Sequence, residues 1–217
     1  MGFFDIFRRA PAIREASALA DFIDDNAAYL IQKGMFEYSR ARAGYYAKVL
    51  LQEPEFLAAI EKARWQGYPL GLALVAEMVE KVVNPVTGED RRAGIDALAD
   101  LVLAVFDRYP VPQTLGAGNW GELRAELDQR LKQIGLHPPK WVKDIPETTW
   151  ENYFNLMPIH TKLKAADAPV TRNYLRVTLI NVHIELTKRM DREAVRDSLR
   201  GPLGSISASP PAAVATN

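Results

Sequence analysis

Apolar residues recur along most of this chain at steps of three and four, the period of a helix buried on one side. The first such stretch predicts a helix over 11–33. Pro11 sits in its first turn and Gly34 just past its end, the usual asymmetry of helix termini. Leu19, Phe22, Ile23, Leu30 and Ile31 share one stripe, and Asp21, Asp24 and Asp25 are expected to face water. Further helices are predicted over 36–51, 54–65 and 70–83. The last is apolar on most sides, through Leu72, Leu74, Val75, Met78, Val79, Val82 and Val83, as a central helix is. A turn over 84–90 leads to a helix over 91–109 with Ile95, Leu98, Leu101, Val102, Val105 and Phe106 in a clean helical period. Together, 70–83 and 91–109 are the expected centre of the fold.

Pro110, Pro112 and the glycines of 116–121 predict a loop, with Asn119 capping a charged helix over 122–134 that Gly135 stops. His137-Pro138-Pro139-Lys140-Trp141 is an extended connector, because a residue before proline avoids the helical region. A helix over 148–157 ends at Pro158. The last long helix covers 169–191, and a short charged one covers 192–200. The β-branched stretch from Val177 to Ile184 would also suit a strand. Its flanks continue too far without a turn for that, so helix is preferred. The fold class is therefore all-α: one irregular, orthogonal bundle of about seven to nine helices over 11–200. Residues 1–10 form an amphipathic lead-in. Residues 201–217 have no charge and few large side chains, so they are expected to be a disordered tail.

Composition narrows the chemistry. Lys+Arg and Asp+Glu are both 27 in 217 residues, so the formal net charge is zero. A nucleic-acid binder normally shows a basic surplus, so that class is disfavoured unless the basic residues cluster on one face. With no cysteine, thiol catalysis, iron–sulfur clusters and Cys-ligated zinc fall away. Of the three histidines, His183 lies two residues from Glu185, a spacing that points the two side chains apart on a helix. No metal and no cofactor are expected. No apolar run reaches the ~18 residues of a membrane span, and the start lacks the order of a signal peptide. A cytoplasmic protein is the simplest expectation. Phe3, Phe4, Ile6 and Phe7 beside Arg8 and Arg9 suit either weak contact with the inner-membrane surface or docking on the domain itself. The Ala- and Arg-rich usage is similar to that of bacteria with high genomic GC, a likeness that implies no activity.

Two segments carry candidate chemistry. Gly116-Ala117-Gly118-Asn119-Trp120-Gly121 has the spacing of a phosphate-binding turn, but no strand precedes it, so a plain loop is the stronger reading. On the helix over 36–51, Tyr38, Arg42, Tyr45 and Tyr46 share a face, with Arg40, Gly44 and Lys48 in a second row. An arginine framed by tyrosine hydroxyls suits a carboxylate or phosphate. The same pattern also fits a helix interface whose arginines pair with Glu37, Glu53 or Asp25. The leading expectation is a binding or assembly module that recognises a protein partner or a small anionic ligand. Its contact residues would be Arg40, Arg42, Tyr45, Tyr46 and Arg64. The alternative is an enzyme acting on a small molecule in an interhelical pocket, with Tyr45, Arg42, Glu77 and His183 as polar groups.

Overall fold

The first two predicted helices are one rod. In the computed structural model, which describes residues 11–84 and 89–201, α1 (Ala16–Ala28) runs through a π turn (Tyr29–Lys33) into α2 (Gly34–Ala43). Gly34 does not stop the helix; its φ of −60° is helical. It is glycine because a Cβ there would lie 2.2 Å from the Tyr153 hydroxyl and 2.5 Å from the Tyr174 ring. Those two hydroxyls donate to carbonyls of the π turn: Tyr174 to Leu30 at 3.1 Å and Tyr153 to Ile31 at 3.5 Å. A π turn disturbs the regular ladder, and distant tyrosines satisfy the carbonyls it leaves.

The rod starts later than Pro11. Ile13 is buried and bridged to Met190: its N–H donates to the Arg189 carbonyl at 2.9 Å and its carbonyl accepts from Asp191 at 3.0 Å. The rod's far end breaks at Gly44, where φ is +53°, a value glycine takes without penalty. A 3-10 turn (Gly44–Tyr46) and the short α3 (Ala47–Leu50) follow, in place of one helix to residue 51.

The next two predicted helices are also one. α4 (Pro54–Val83) passes straight through Pro69. An interior proline removes a ladder hydrogen bond and costs about 3 kcal/mol. Here burial along Leu70, Leu72, Val75, Met78 and Val79 offsets that cost. Gly67 and Gly71 let α4 cross the rod closely. A Cβ at Gly71 would sit 2.6 Å from the Ile31 side chain and 2.8 Å from the Ala27 carbonyl oxygen.

α5 (Glu89–Phe106) lies against α4, and their buried residues form the centre of the core, as the apolar pattern predicts. The expected loop over 116–121 is instead the first turns of α6 (Gly116–Ile134). Trp120 stacks on Phe106 at 4.1 Å, and that burial draws the glycines into the helix. Asn119 does not cap; its amide donates back to the Leu115 carbonyl at 2.7 Å. After the extended connector come a 3-10 turn (Val142–Thr148), α7 (Trp150–Leu156) and the short α8 (Thr161–Lys164). The helix predicted over 148–157 thus begins at Trp150. α9 (Ala168–Arg189) is helical throughout, including Val177 to Ile184, and α10 (Arg192–Arg200) ends the described bundle. Among the described residues the chain is all-α and no helix is long and apolar enough to cross a membrane. Of the tail expected over 201–217, residues 202–217 lie outside the described residues, as do the N-terminal Phe3, Phe4 and Phe7.

Candidate functional site

The Arg/Tyr segment folds into an elbow, not a single helical face. Gly44 turns the backbone between Arg42 and Tyr45, so the expected alignment of Tyr38, Arg42, Tyr45 and Tyr46 is broken. Tyr38 donates to Asp167 at 2.7 Å, and Arg42 binds the same carboxylate through its guanidinium. Arg42, and then Tyr38, hold the Asp167 carboxyl below the usual range. Burial, followed by the Asp167 contact, pushes the Tyr38 phenol up to about 12. Arg40 pairs with Glu37. Arg64, on α4, pairs with Glu61 at 3.2 Å and lies 5.1 Å from the Trp65 ring centre. All three arginines therefore have internal partners, with Glu37 among those expected for them. Tyr45 and Tyr46 differ: they are 96% and 67% exposed and touch each other edge to face at 5.8 Å.

The alternative residues do not converge either. Glu77 lines a cavity of 60 Å³ with Arg130, Gln133, His137, Lys140 and Thr149, and neither Arg42, Tyr45 nor His183 lines it. Lys140 Nζ is 2.9 Å from Glu77 Oε1, without hydrogen-bonding alignment, and His137 Nε2 is 3.7 Å from it. α4 supplies the carboxylate, α6 supplies Arg130, and the proline-stiffened connector supplies His137 and Lys140. His183 lies elsewhere, on α9. Burial first, then the charges of Lys81 and Arg192, push its pKa down. Among the described residues no group of three His, Asp or Glu is placed to hold a metal.

A polar site that the pattern assigned to solvent is in fact buried. Asp24 is 9% exposed and does not face water. Its Oδ1 accepts from Tyr68 and Tyr109, each at 2.7 Å, and Arg108 reaches Oδ2 at 3.4 Å. Trp65, Phe106 and Trp120 wall the network with edge-to-face and stacked contacts. The signal was present in the sequence: Asp24 lies four residues after Ala20 and three before Ala27, on the buried stripe itself. Tyr68, brought from α4, and Arg108 and Tyr109, from the turn after α5, offset the cost of that burial.

Burial, then Asp24, push the Tyr68 and Tyr109 phenols upward, and burial raises Tyr153 and takes Tyr174 to about 12. In the unfolded chain these phenols ionise near pH ~10. Their folded values are raised, so their contribution is complete below that pH. It is lost as the pH climbs further, because ionisation then favours the unfolded chain. The phenolate absorbance contributed by these four tyrosines should therefore appear together with the loss of far-ultraviolet dichroism above about pH 10. Full ionisation of the tyrosines in a still-helical protein would contradict this.

A final surface feature is the outer side of α9. Val170, Val177, Ile180 and Ile184 are 64%, 48%, 36% and 44% exposed. They stand opposite the buried Thr171, Leu175, Leu179, Val182 and Leu186. The chain matches no protein-family model, no curated protein and no solved structure.

Proposed function

We propose that this chain is a helical binding or assembly module that docks a protein partner on the Tyr45–Tyr46 elbow. The observation that carries this is the exposure of two adjacent tyrosines on a glycine-made turn, where they contribute nothing to the core. Val49, 58% exposed, extends the apolar contact on α3. Tyrosines of this kind supply large contact area at little entropic cost, and their hydroxyls find acceptors on a partner. Arg40, Arg42 and Arg64 are paired with Glu37, Asp167 and Glu61 and are not open anion receptors. A protein partner therefore fits better than a small anionic ligand. Cytoplasmic residence, with contact at the inner membrane through Phe3, Phe4 and Phe7, remains part of the proposal.

The test replaces Tyr45 with a photo-crosslinking residue and uses exposed Glu122 as the control position. One protein should crosslink at 45 and not at 122, and the purified partner should lose binding to the Tyr45→Ala/Tyr46→Ala variant. The melting temperature of that variant should stay within ~1–2 °C of the parent, as for exposed positions generally. Equal crosslinking at both positions, or unchanged binding by the double variant, would remove the elbow from the proposal.

The second reading, an enzyme acting on a small molecule, is favoured by one observation: a carboxylate, an imidazole and an ammonium converge in the Glu77 cavity. That cavity has room for a few waters or one small molecule, well below the ~300 Å³ of ordinary ligand pockets. Thermal-shift screening of small metabolites decides it: hits must vanish in Glu77→Gln, and hits that persist there reject this site.

A further inference from the structure

The outer face of α9 is built like one half of a coiled coil. Val170, Asn173, Val177, Ile180 and Ile184 follow at steps of three, four, three and four, the heptad seam of two packed helices. The apolar members are all β-branched, and Asn173 is the single polar position, the kind of residue that sets register in such seams. The seam is about 21 Å long at helical rise. Nothing among the described residues needs it, because the opposite face of α9 already supplies the buried contacts through Leu175, Leu179, Val182 and Leu186.

Charge selects the occupant. α9 carries four cations, Arg172, Arg176, Lys188 and Arg189, against one acid, Glu185. Near one end of the seam, Arg172 and Arg176 share the single carboxylate of Glu147. Near the other end, Arg189 takes Glu185 and turns inward over the Phe22 ring, which leaves exposed Lys188 beside the seam with no carboxylate partner among the described residues. A second copy of α9 would set this basic surplus against itself. Residues 1–10 are apolar enough, but they bring Arg8 and Arg9 against Asp5 alone. We infer that the outer face of α9 is a docking seam for an amphipathic helix of another protein, apolar at its heptad positions and acidic on its flanks. This seam is independent of the Tyr45–Tyr46 elbow and stands or falls separately.

The experiment uses the full chain and two synthetic peptides of three heptads, with Ile and Leu at the seam positions. One carries Glu on both flanks and the other Lys. By fluorescence anisotropy the acidic peptide should bind at least roughly tenfold more tightly than the basic one, and more weakly as salt is added. The Val177→Asp/Ile180→Asp variant should weaken that binding by roughly tenfold or more. If that variant does not fold, Arg172→Glu/Lys188→Glu gives a second reading, because it should shift preference towards the basic peptide. Four results overturn the inference. They are no saturable binding of the acidic peptide, and equal affinity for both peptides. A dimer of the free chain that Val177→Asp/Ile180→Asp abolishes would make a second copy the occupant. A tenfold gain on deleting residues 1–10 would show that the chain's own segment already covers the seam.

Discussion

Asp24→Ala is expected to destabilise the protein by about 3–5 kcal/mol, because it removes the buried carboxylate that Tyr68, Tyr109 and Arg108 share. The Asp24 side chain is 13% exposed and that of Arg108 is 6%. Asp21 would remain in contact with Arg108 at 2.9 Å, closer than Asp24 at 3.4 Å, but it is 58% exposed and solvent weakens that pair. Both Tyr68 and Tyr109 would lose the acceptor that Asp24 Oδ1 offers each at 2.7 Å. Each unsatisfied buried hydroxyl costs about 1–3 kcal/mol. Tyr68→Phe should be milder, about 1 kcal/mol, since it removes the donor together with the need for the acceptor. For a domain of this size the alanine variant should melt roughly 10 °C lower. Chemical denaturation checks the free energy. A loss below about 1 kcal/mol would mean that the network exchanges readily with water.

Glu80→Ala should be nearly as damaging, at about 3–4 kcal/mol, by the same logic near the C-terminal end of α4. The Glu80 side chain is 1% exposed and its partner Arg91 is 12% exposed. Arg91 donates Nε to Glu80 at 2.8 Å, Nη1 to the His137 carbonyl at 3.1 Å and Nη2 to the Ile134 carbonyl at 3.5 Å. One guanidinium thus ties α4, the end of α6 and the connector together. Removing the carboxylate alone leaves that guanidinium buried and uncompensated. Replacing both partners by methionine should recover part of the loss, because two charges no longer need desolvation. Recovery should be incomplete, since the carbonyls of Ile134 and His137 would lose their donor. The same change should disturb the Glu77 cavity, because His137 and Lys140 hang from that connector. If Glu80→Ala and the double methionine variant are equally stable, the ion pair is not what organises this corner.

The helical class and the core faces were legible from the residues because helical period is a local property. The stripes of Leu98, Leu101, Val102 and Val105, and of Leu72, Val75, Met78 and Val79, need no knowledge of what lies opposite them to be recognised. α9 was harder. Its inward Leu175, Leu179, Val182 and Leu186 and its outward Val177, Ile180 and Ile184 interleave, and two apolar faces on one helix blur into the pattern of a buried strand. Of the candidate site, the elbow was legible as an unusual cluster of arginine and tyrosine. The fate of its charges was not, because Asp167 lies 125 residues from Arg42.

By itself the sequence determined that most of these segments are helices and where the apolar stripes of α1, α4 and α5 run, since both follow from residue spacing and intrinsic preference. Tertiary structure decided where the helices begin and end. Gly34 and Gly71 are contacts and not breaks, because Tyr153, Tyr174, Ile31 and Ala27 crowd the space where a Cβ would stand. Pro69 lies inside a helix because the burial around it outweighs one lost hydrogen bond. Gly44 alone of these acts as a break, because its neighbours face solvent and nothing opposes its positive φ. Tertiary structure also took Asp24 out of water and left Tyr45, Tyr46 and the outer seam of α9 in it. Each of those outcomes depends on side chains brought from distant parts of the chain, a relation that residue spacing does not contain.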